Sequence, residues 1–338
     1  MQQTFRYGIE HEVAFCRADG TFADFTNTRF EDFQQIVDLL PEYPHDQQHL
    51  RFGDAGIRRK RWYIEGYERF SETGALLTCV PKGIEIRTTI HDSISGVIAE
   101  LQNSYQLLIE TAARFGYTPI AVSHNPNHTR FAPDPPLNAF ELAQQQDELP
   151  EERDTADIPM VTYGPDISLS QLGMSSAQLL DVAQKLTYYS PFLVPFSFSA
   201  LPSLRTYQRT GARPAVLAFI DDPAYWLDSN PTLTKPPRHP AEKGRIEFKA
   251  FDTCANLNHY AALCTLLKGL ILDTTLHGRA ITPDTPLHRL AAMQGWQSPI
   301  IVESAHLCLN AAHQALADDS DQTFLQTLFA QLPQKLPD

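Results

Sequence analysis

Basic residues are in short supply in this 338-residue chain: 27 Lys and Arg stand against 40 Asp and Glu, a formal net charge of -13. A general nucleic-acid surface needs a cationic excess and is excluded, although a local basic cluster gripping a phosphate is not. Long apolar runs are missing too. The stretch AALCTLLKGLIL is too short for a membrane span and carries a lysine, so no membrane partner is expected. The opening MQQTFRYGIEHE has no basic region followed by an apolar core, which speaks against a signal peptide. The five cysteines (Cys16, Cys79, Cys254, Cys264, Cys308) are scattered, odd in number and without CxxC spacing. Reduced, buried thiols in a cytoplasmic protein are the expected state. Common catalytic signatures are absent as well. There is no GxxxxGK followed by Ser or Thr, so ATP would not be held by a P-loop. HEVAF is not HExxH, and neither GxSxG nor a dinucleotide fingerprint occurs. No internal repeat is found.

Hydrophobic residues make up 43% and charged residues 20%, the composition of an ordinary soluble protein. The length suits one large domain or two ordinary ones. Near the start, YGIEHEVAF carries two acids inside an apolar run. Side chains alternate along a strand, so Phe5, Tyr7, Ile9, His11, Val13 and Phe15 share one side. Arg6, Gly8, Glu10, Glu12 and Ala14 share the other. The first side is fit for a core. The second sets two carboxylates about 7 Å apart along the strand. A solvated outer face of an antiparallel sheet alternates in the same way, so this stretch alone leaves both readings open.

Further along, Thr28-Arg29-Phe30-Glu31 resembles a capping box, and Phe33, Ile36, Val37 and Leu40 continue at helical spacing. RWYIEGYERF (61–70) alternates as a strand, and SETG turns it. KGIEIRTTI follows, with Ile84, Ile86, Thr88 and Ile90 opposite Glu85, Arg87 and Thr89. Ser93 caps a long helix striped by Val97, Ile98, Leu101, Tyr105, Leu108 and Ala112, and Gly116 suits its stop. YTPIAVSH is a short strand. Residues 133–158, rich in Pro, Gln and acids, read as a surface loop or lid within a single domain spanning 1–338. MVTYGPDISLSQL reads as a strand, Ser175 and Gln178 open a helix, and LRTYQRTGARP reads as a loop with spaced arginines. GRIEFKAFD is a clear strand before a mostly helical remainder. Such sharp alternation favours an antiparallel or mixed sheet with one functional face.

The acid-bearing layout recurs. KGIEIRT puts Glu85 and Arg87 on its non-apolar side. GRIEFKAFD groups Arg245, Glu247 and Lys249 opposite Ile246, Phe248 and Ala250. Clustered carboxylates collect hard divalent metals such as Mg2+, and interleaved cations suit an anionic ligand such as a metal-bound polyphosphate. A salt-bridged outer face is the competing reading. Three strands with one layout favour a site. His124, at a strand end in SHNPNH, could be a further ligand. Arg205, Arg209 and Arg213 recur at steps of four; on a helix they form a basic stripe, on a loop an anion clamp.

With these residues in view, GIEHE resembles the G-x-E-x-E opening strand of the glutamate–cysteine ligase type 2 family of carboxylate–amine ligases. RIEFKAFD resembles that family's late R-x-E-x-R-x-x-D strand. KGIEIRTTIHDSISGVIAEL is similar to its second glutamate strand and following helix, and KLTYYSPFLVPFSFSALPSLRTYQRTGARP to its helix, Ser-rich turn and Arg-bearing loop. The set runs in order from about residue 6 to residue 275 and is most like the cyanobacterial-type members. The resemblance implies an α+β fold: a curved, mainly antiparallel sheet forming a glutamine-synthetase-like active-site funnel, backed by helices. It implies ATP and Mg2+ as cofactors, phosphorylation of a substrate carboxylate, and displacement of the phosphate by an amine. The small-molecule substrates of the namesake reaction are glutamate, through its γ-carboxylate, and cysteine. By motif position Glu10, Glu12, Glu85 and Glu247, with His124 more loosely, would hold metal. Lys249 would stabilise the transferring phosphoryl group and Arg245 would contact nucleotide or substrate. Arg87, Arg205, Arg209 and Arg213 would bind substrate or phosphate. Two departures stand out: Lys249 replaces a more usual Arg, and MVTYGPDIS replaces a His-x-His strand, which bears on the amine. A ligase using another amine, or a metal- or nucleotide-binding regulatory protein, are the alternatives.

Overall fold

Strand alternation sorts the chain into a buried face and a charged face. The computed structural model describes residues 4–50, 60–146, 153, 155–209, 213–227, 229 and 231–333. Its strands are β1 (Phe5–Arg17), β2 (Phe22–Ala23), β3 (Trp62–Phe70), β4 (Leu76–Arg87), β5 (Tyr117–Ile120), β6 (Pro165–Gln171), β7 (Val216–Phe219), β8 (Thr234–Lys235) and β9 (Ile246–Phe248). They form one sheet in the order β3-β4-β1-β6-β9-β7-β8, with β2 and β5 paired to the far end of β1. The β7–β8 pair is parallel. The pairs linking β3, β4, β1, β6, β9 and β7 are antiparallel.

The longer helices are α1 (Phe30–Leu39), α2 (Ile94–Ala113), α3 (Ala139–Gln146), α4 (Ser176–Leu193), α5 (Leu204–Arg209), α6 (His259–Leu272), α7 (Thr285–Gln294) and α8 (Pro299–Ala315). The chain is thus a mixed α+β fold. The odd-numbered side of β1 is buried from Phe5 to Phe15 and belongs to the main core with Val97, Leu101, Leu263 and Leu267 of α2 and α6. His11 sits in that core, with its ring against Tyr105 and Tyr260. Burial of this face, at about 25 cal/mol per Å2 of apolar surface, holds the sheet to the helices. Among the described residues, no helix is long and apolar enough to cross a membrane.

Several local expectations are met. Ser93 Oγ accepts from Gly96 N–H, and Ser175 and Gln178 form a reciprocal cap. Others are corrected. α1 starts at Phe30, capped where Asp32 Oδ2 accepts from Arg29 N–H at 3.0 Å, one residue later than Thr28 implied; the Thr28 hydroxyl instead donates to Asn27. The arginine loop begins as helix α5. Met160 and Val161 lie in a helical turn (Ile158–Val161), and the strand starts only at Pro165. The segment 133–158 is not loop throughout. α3 is pinned because Glu141 accepts from Arg69 Nε at 2.8 Å, Arg69 Nη2 at 3.1 Å and Phe70 N–H at 2.8 Å. These bonds span about 70 residues of sequence, so composition could not reveal them. Residues 147–152 and 154 of that expectation lie outside the described residues.

Two buried histidines give the fold a pH signature. Burial pushes His11 down to about 4 and His288, 2.8 Å from Ser190 Oγ, down to about 3. Below the unfolded value of about 6.5 the unfolded chain binds protons the native state refuses, so their contribution is full above that value and is lost as pH falls. Denaturation free energies measured from pH 7.5 to 4.5 are expected to fall less steeply in His288→Asn than in wild type, by about 1.4 kcal/mol per pH unit for one proton. Parallel slopes would show that His288 is not the group responsible.

Candidate functional site

The register of the central strands builds the site row by row. Asp166, Glu10 and Arg87 stand directly opposite one another across β6, β1 and β4. Glu12, Glu85 and Tyr63 form the next row across β1, β4 and β3. Gly8, Ser168 and Glu247 form the row on the other side, across β1, β6 and β9. All project from the face opposite the helices. All but Gly8 and Ser168 line a cleft of about 1350 Å3, counting its open mouth.

Glu10, Glu12, Glu85, Arg87, Arg205, Arg209, Arg213, Arg245, Glu247 and Lys249, all singled out from sequence, line this one cleft. His124 is not among its lining residues. The ring nitrogens of His124 face Asn125 O at 2.7 Å and Gln208 Oε1 at 3.1 Å, so the structure holds it outside the cluster. Sequence reasoning missed Glu65, Asp166, Tyr63 and Lys82. Glu65 and Tyr63 follow the same alternation in WYIEG, opposite Trp62 and Ile64, and were legible there. Asp166 alternates in the same way with Ile167 and Leu169 in PDISL and was legible too.

Acids and cations interleave closely. Arg87 Nε lies 2.8 Å from Glu85 Oε1 and 3.8 Å from Glu10 Oε2, its Nη2 donates to Tyr63 Oη at 2.6 Å, and its guanidinium stacks 3.9 Å from the Tyr63 ring. Arg245 lies 2.7 Å from Glu247, 3.3 Å from Glu242 and 3.8 Å from Glu10. The Lys249 ammonium bridges Asp166 and Glu247. Lys82, almost fully buried, donates to Glu12 Oε1 at 2.6 Å. The other oxygen of Glu12 accepts from Gly164 N–H at 3.0 Å. The Arg205 guanidinium packs directly over Gly164: a Cβ there would sit 2.4 Å from its central carbon.

Charge is unevenly compensated. Burial pushes Glu10 up, but Arg87, Arg245 and Lys249 outweigh it and leave the carboxyl below its usual range. Burial acts on Glu247 too, and Lys249 and Arg245 bring it down to about 2. Glu85 goes the other way: burial, with Glu10, Glu65 and Glu12 nearby, lifts it well above the carboxylate range despite Arg87. Burial and Glu12 raise Glu65 despite Lys82, and burial lifts Asp166 to about 6 despite Lys249. Oxygens of Glu12, Glu65 and Glu85 come within 4.8 Å of one another. Hard oxygen donors crowded in this way suit Mg2+. At the other end of the cleft Arg209 is pushed down to about 9 by burial and by Arg205 and Arg213. Arg205 is 1% exposed; its Nη2 donates to Lys249 O, while its Nε and Nη1 have no partner among the described residues.

A second cavity of about 920 Å3 adjoins the cleft and shares Glu10, Arg87 and Arg245 with it. Its floor is made of small side chains, Gly8, Thr88, Ser168 and Ser170. The buried Ser168 hydroxyl and Arg245 Nε there lack a partner among the described residues.

No protein-family model matches the chain, and no curated protein matches it in sequence. Solved structures do match its fold. A glutamate–cysteine ligase from Francisella tularensis in complex with AMP aligns over 98% of this chain and 84% of its own, with a TM-score of 0.56 at 12% identity. A bifunctional glutathione synthetase from Pasteurella multocida aligns over 98% with a TM-score of 0.56 at 13% identity. The present chain spans only 48% of that enzyme. Apo GmaS aligns over 99% of this chain and 71% of its own, with a TM-score of 0.50 at 13% identity. At such identities the likeness is one of fold.

The excess of buried negative charge has a cost in the metal-free protein. An acid with a raised native value contributes stability below its unfolded value and loses it as pH rises through the native one. Glu65→Gln is therefore expected to raise the melting temperature in EDTA at pH 7.5 by about 2–4 °C. It is also expected to reduce the further rise that Mg2+ produces in wild type. A lower melting point in EDTA would contradict the crowding.

Proposed function

We propose that this chain is an ATP- and Mg2+-dependent carboxylate–amine ligase, joining the γ-carboxylate of glutamate to the amine of an amino acid, with cysteine first among candidates. The observation that carries the reading is the cleft face itself: six carboxylates, Glu10, Glu12, Glu65, Glu85, Asp166 and Glu247, interleaved with Arg87, Arg245 and Lys249 beside a small-floored cavity. Phosphoryl transfer asks for charges placed around a moving phosphoryl group rather than for covalent chemistry from the protein.

In this reading the smaller cavity takes the nucleoside of ATP, and the triphosphate runs along Arg245 toward the acid rows. Glu12, Glu65 and Glu85 would hold one Mg2+, and Glu10 and Glu247 would face the phosphates. Mg2+ bound there supplies neutralisation of the phosphate oxygens. Arg205, whose Nε and Nη1 have no partner among the described residues, would bind a substrate carboxylate together with Arg209. A γ-carboxylate oxygen of glutamate attacks the γ-phosphorus, and ADP leaves. Lys249 faces the charge on the group in transit. The amine nitrogen then attacks the acyl carbon, phosphate departs with its bonding electrons, and the nitrogen loses a proton. The concave face serves as the funnel of a single catalytic domain working in the cytoplasm.

Asp166 favours one variation. It adds a carboxylate beside Lys249 on the strand where the resemblance leads one to expect His-x-His, and so supports an amine other than cysteine. ADP release with glutamate, Mg2+ and a panel of amines, with mass spectrometry of the product, separates the cases. Release that needs glutamate but ignores cysteine would keep the ligase and reject cysteine. No release with any pair, from protein that binds ATP, would reject the ligase. Lys249→Ala is expected to lower turnover at least about 100-fold while ATP affinity changes far less, because its charge matters most during transfer. Lys249→Arg should retain much of the activity.

A further inference from the structure

Among the described residues, Lys82 is a cation beside the cleft that does not line it. It is 1% exposed, and its ammonium donates to Glu12 Oε1 at 2.6 Å, Pro159 O at 2.6 Å and Thr162 O at 2.9 Å. All three protons of the ammonium are thereby used. The ammonium lies 5.4 Å from the centre of the Tyr163 ring, whose hydroxyl donates to Lys82 O at 3.0 Å. A buried ammonium fixed on all sides cannot swing out to meet a substrate. It belongs instead to the carboxylate it touches, and that carboxylate is one of the three that converge.

We propose that Lys82 is an internal counter-charge competing with a divalent cation for Glu12, a positioning residue that keeps the Glu12/Glu65/Glu85 group assembled without metal and holds its cation affinity down. The inference rests on the metal role proposed above for those three glutamates. Without Lys82, Glu12 would stand within 4.8 Å of two further carboxylate groups in a buried cleft, with Arg87 committed to Glu85. At such distances like charges repel strongly. With Lys82 present, one Glu12 oxygen is held by the ammonium and the other by Gly164 N–H. Two of its lone-pair positions remain for an ion. Any cation binding there works against a positive charge fixed one carboxylate away. The metal then arrives most favourably with an anion of its own, as a metal–nucleotide complex, rather than as a resident ion. Lys82 also ties the turn Ile158–Val161 to the same carboxylate, so the wall of the cleft and the ion site are set by one side chain.

The test is Mn2+ affinity of the nucleotide-free protein, read by electron paramagnetic resonance of free Mn2+, in wild type, Lys82→Met, Lys82→Gln and Lys82→Arg. Removal of the charge is expected to tighten Mn2+ binding at least about fivefold in both neutral variants. It should also lower the melting temperature in EDTA, with saturating Mn2+ restoring more stability than it adds to wild type. Lys82→Gln keeps amide donors for the Pro159 and Thr162 carbonyls and so separates charge from packing. Lys82→Arg should stay within about twofold of wild type, since it preserves the charge that sets the affinity. Unchanged or weaker Mn2+ binding in the neutral variants overturns the counter-charge and leaves the metal reading intact. No Mn2+ binding to any of the four proteins overturns both.

Discussion

One strand carries two incompatible surfaces. The odd-numbered side of β1 is apolar and buried against helices, and the even-numbered side faces a cleft with Glu10 and Glu12. A slip of one residue in register would send both carboxylates into the core and Ile9 and Val13 into the cleft. That exchange would cost several kcal/mol for each charge buried without a partner. β1 is therefore the most strongly specified element in the sheet. It is also the most connected, pairing with β4 and β6 along one stretch and with β2 and β5 along another. What the neighbouring strands can place in the cleft follows from where β1 fixes their register.

Holding so many acids together then becomes a problem of placing cations. Arg87 stands between Glu10 and Glu85, Lys249 between Asp166 and Glu247, and Arg245 between Glu247 and Glu242. Buried pairs of this kind add little net stability once desolvation is counted, but losing one partner is costly. The compensation is incomplete where Glu65 and Glu85 meet Glu12: burial first, and the neighbouring acids after it, raise both carboxyls. The fold tolerates a local electrostatic cost there.

The acid strands were legible because period-two alternation is a local property, and GIEHE, KGIEIRT and GRIEFKAFD each display it in full. The same rule, applied to WYIEG, also yields Tyr63 and Glu65. Asp166 obeys it as well, opposite Ile167 and Leu169 in PDISL, and the backbone N–H of Gly164 just before that strand donates to Glu12. The docking of α3 by Glu141 and Arg69 depends on partners 72 residues apart, which no local pattern announces. His124 shows the opposite failure. A histidine at a strand end is a fair ligand by type, yet its ring is occupied by Asn125 and Gln208. Residue type and spacing identified a face; only tertiary pairing showed which members of it converge.

That face is divided within a few residues. On β1 Glu12 and Glu10 line the cleft, and Gly8 and Arg6 line the adjoining cavity. Opposite them β6 offers Asp166, Ser168 and Ser170. Moving along the two strands, the surface changes from paired carboxylates to a floor of small neutral groups over about 7 Å, two residues of strand rise. Ser168 marks the boundary, standing between Gly8 and Glu247 with its hydroxyl unpartnered among the described residues. That change is set by the backbone register of two adjacent strands. This accounts for how a chain sharing only 12% of its residues with a solved ligase can keep the fold: alternation and register constrain the sheet, and many sequences satisfy them.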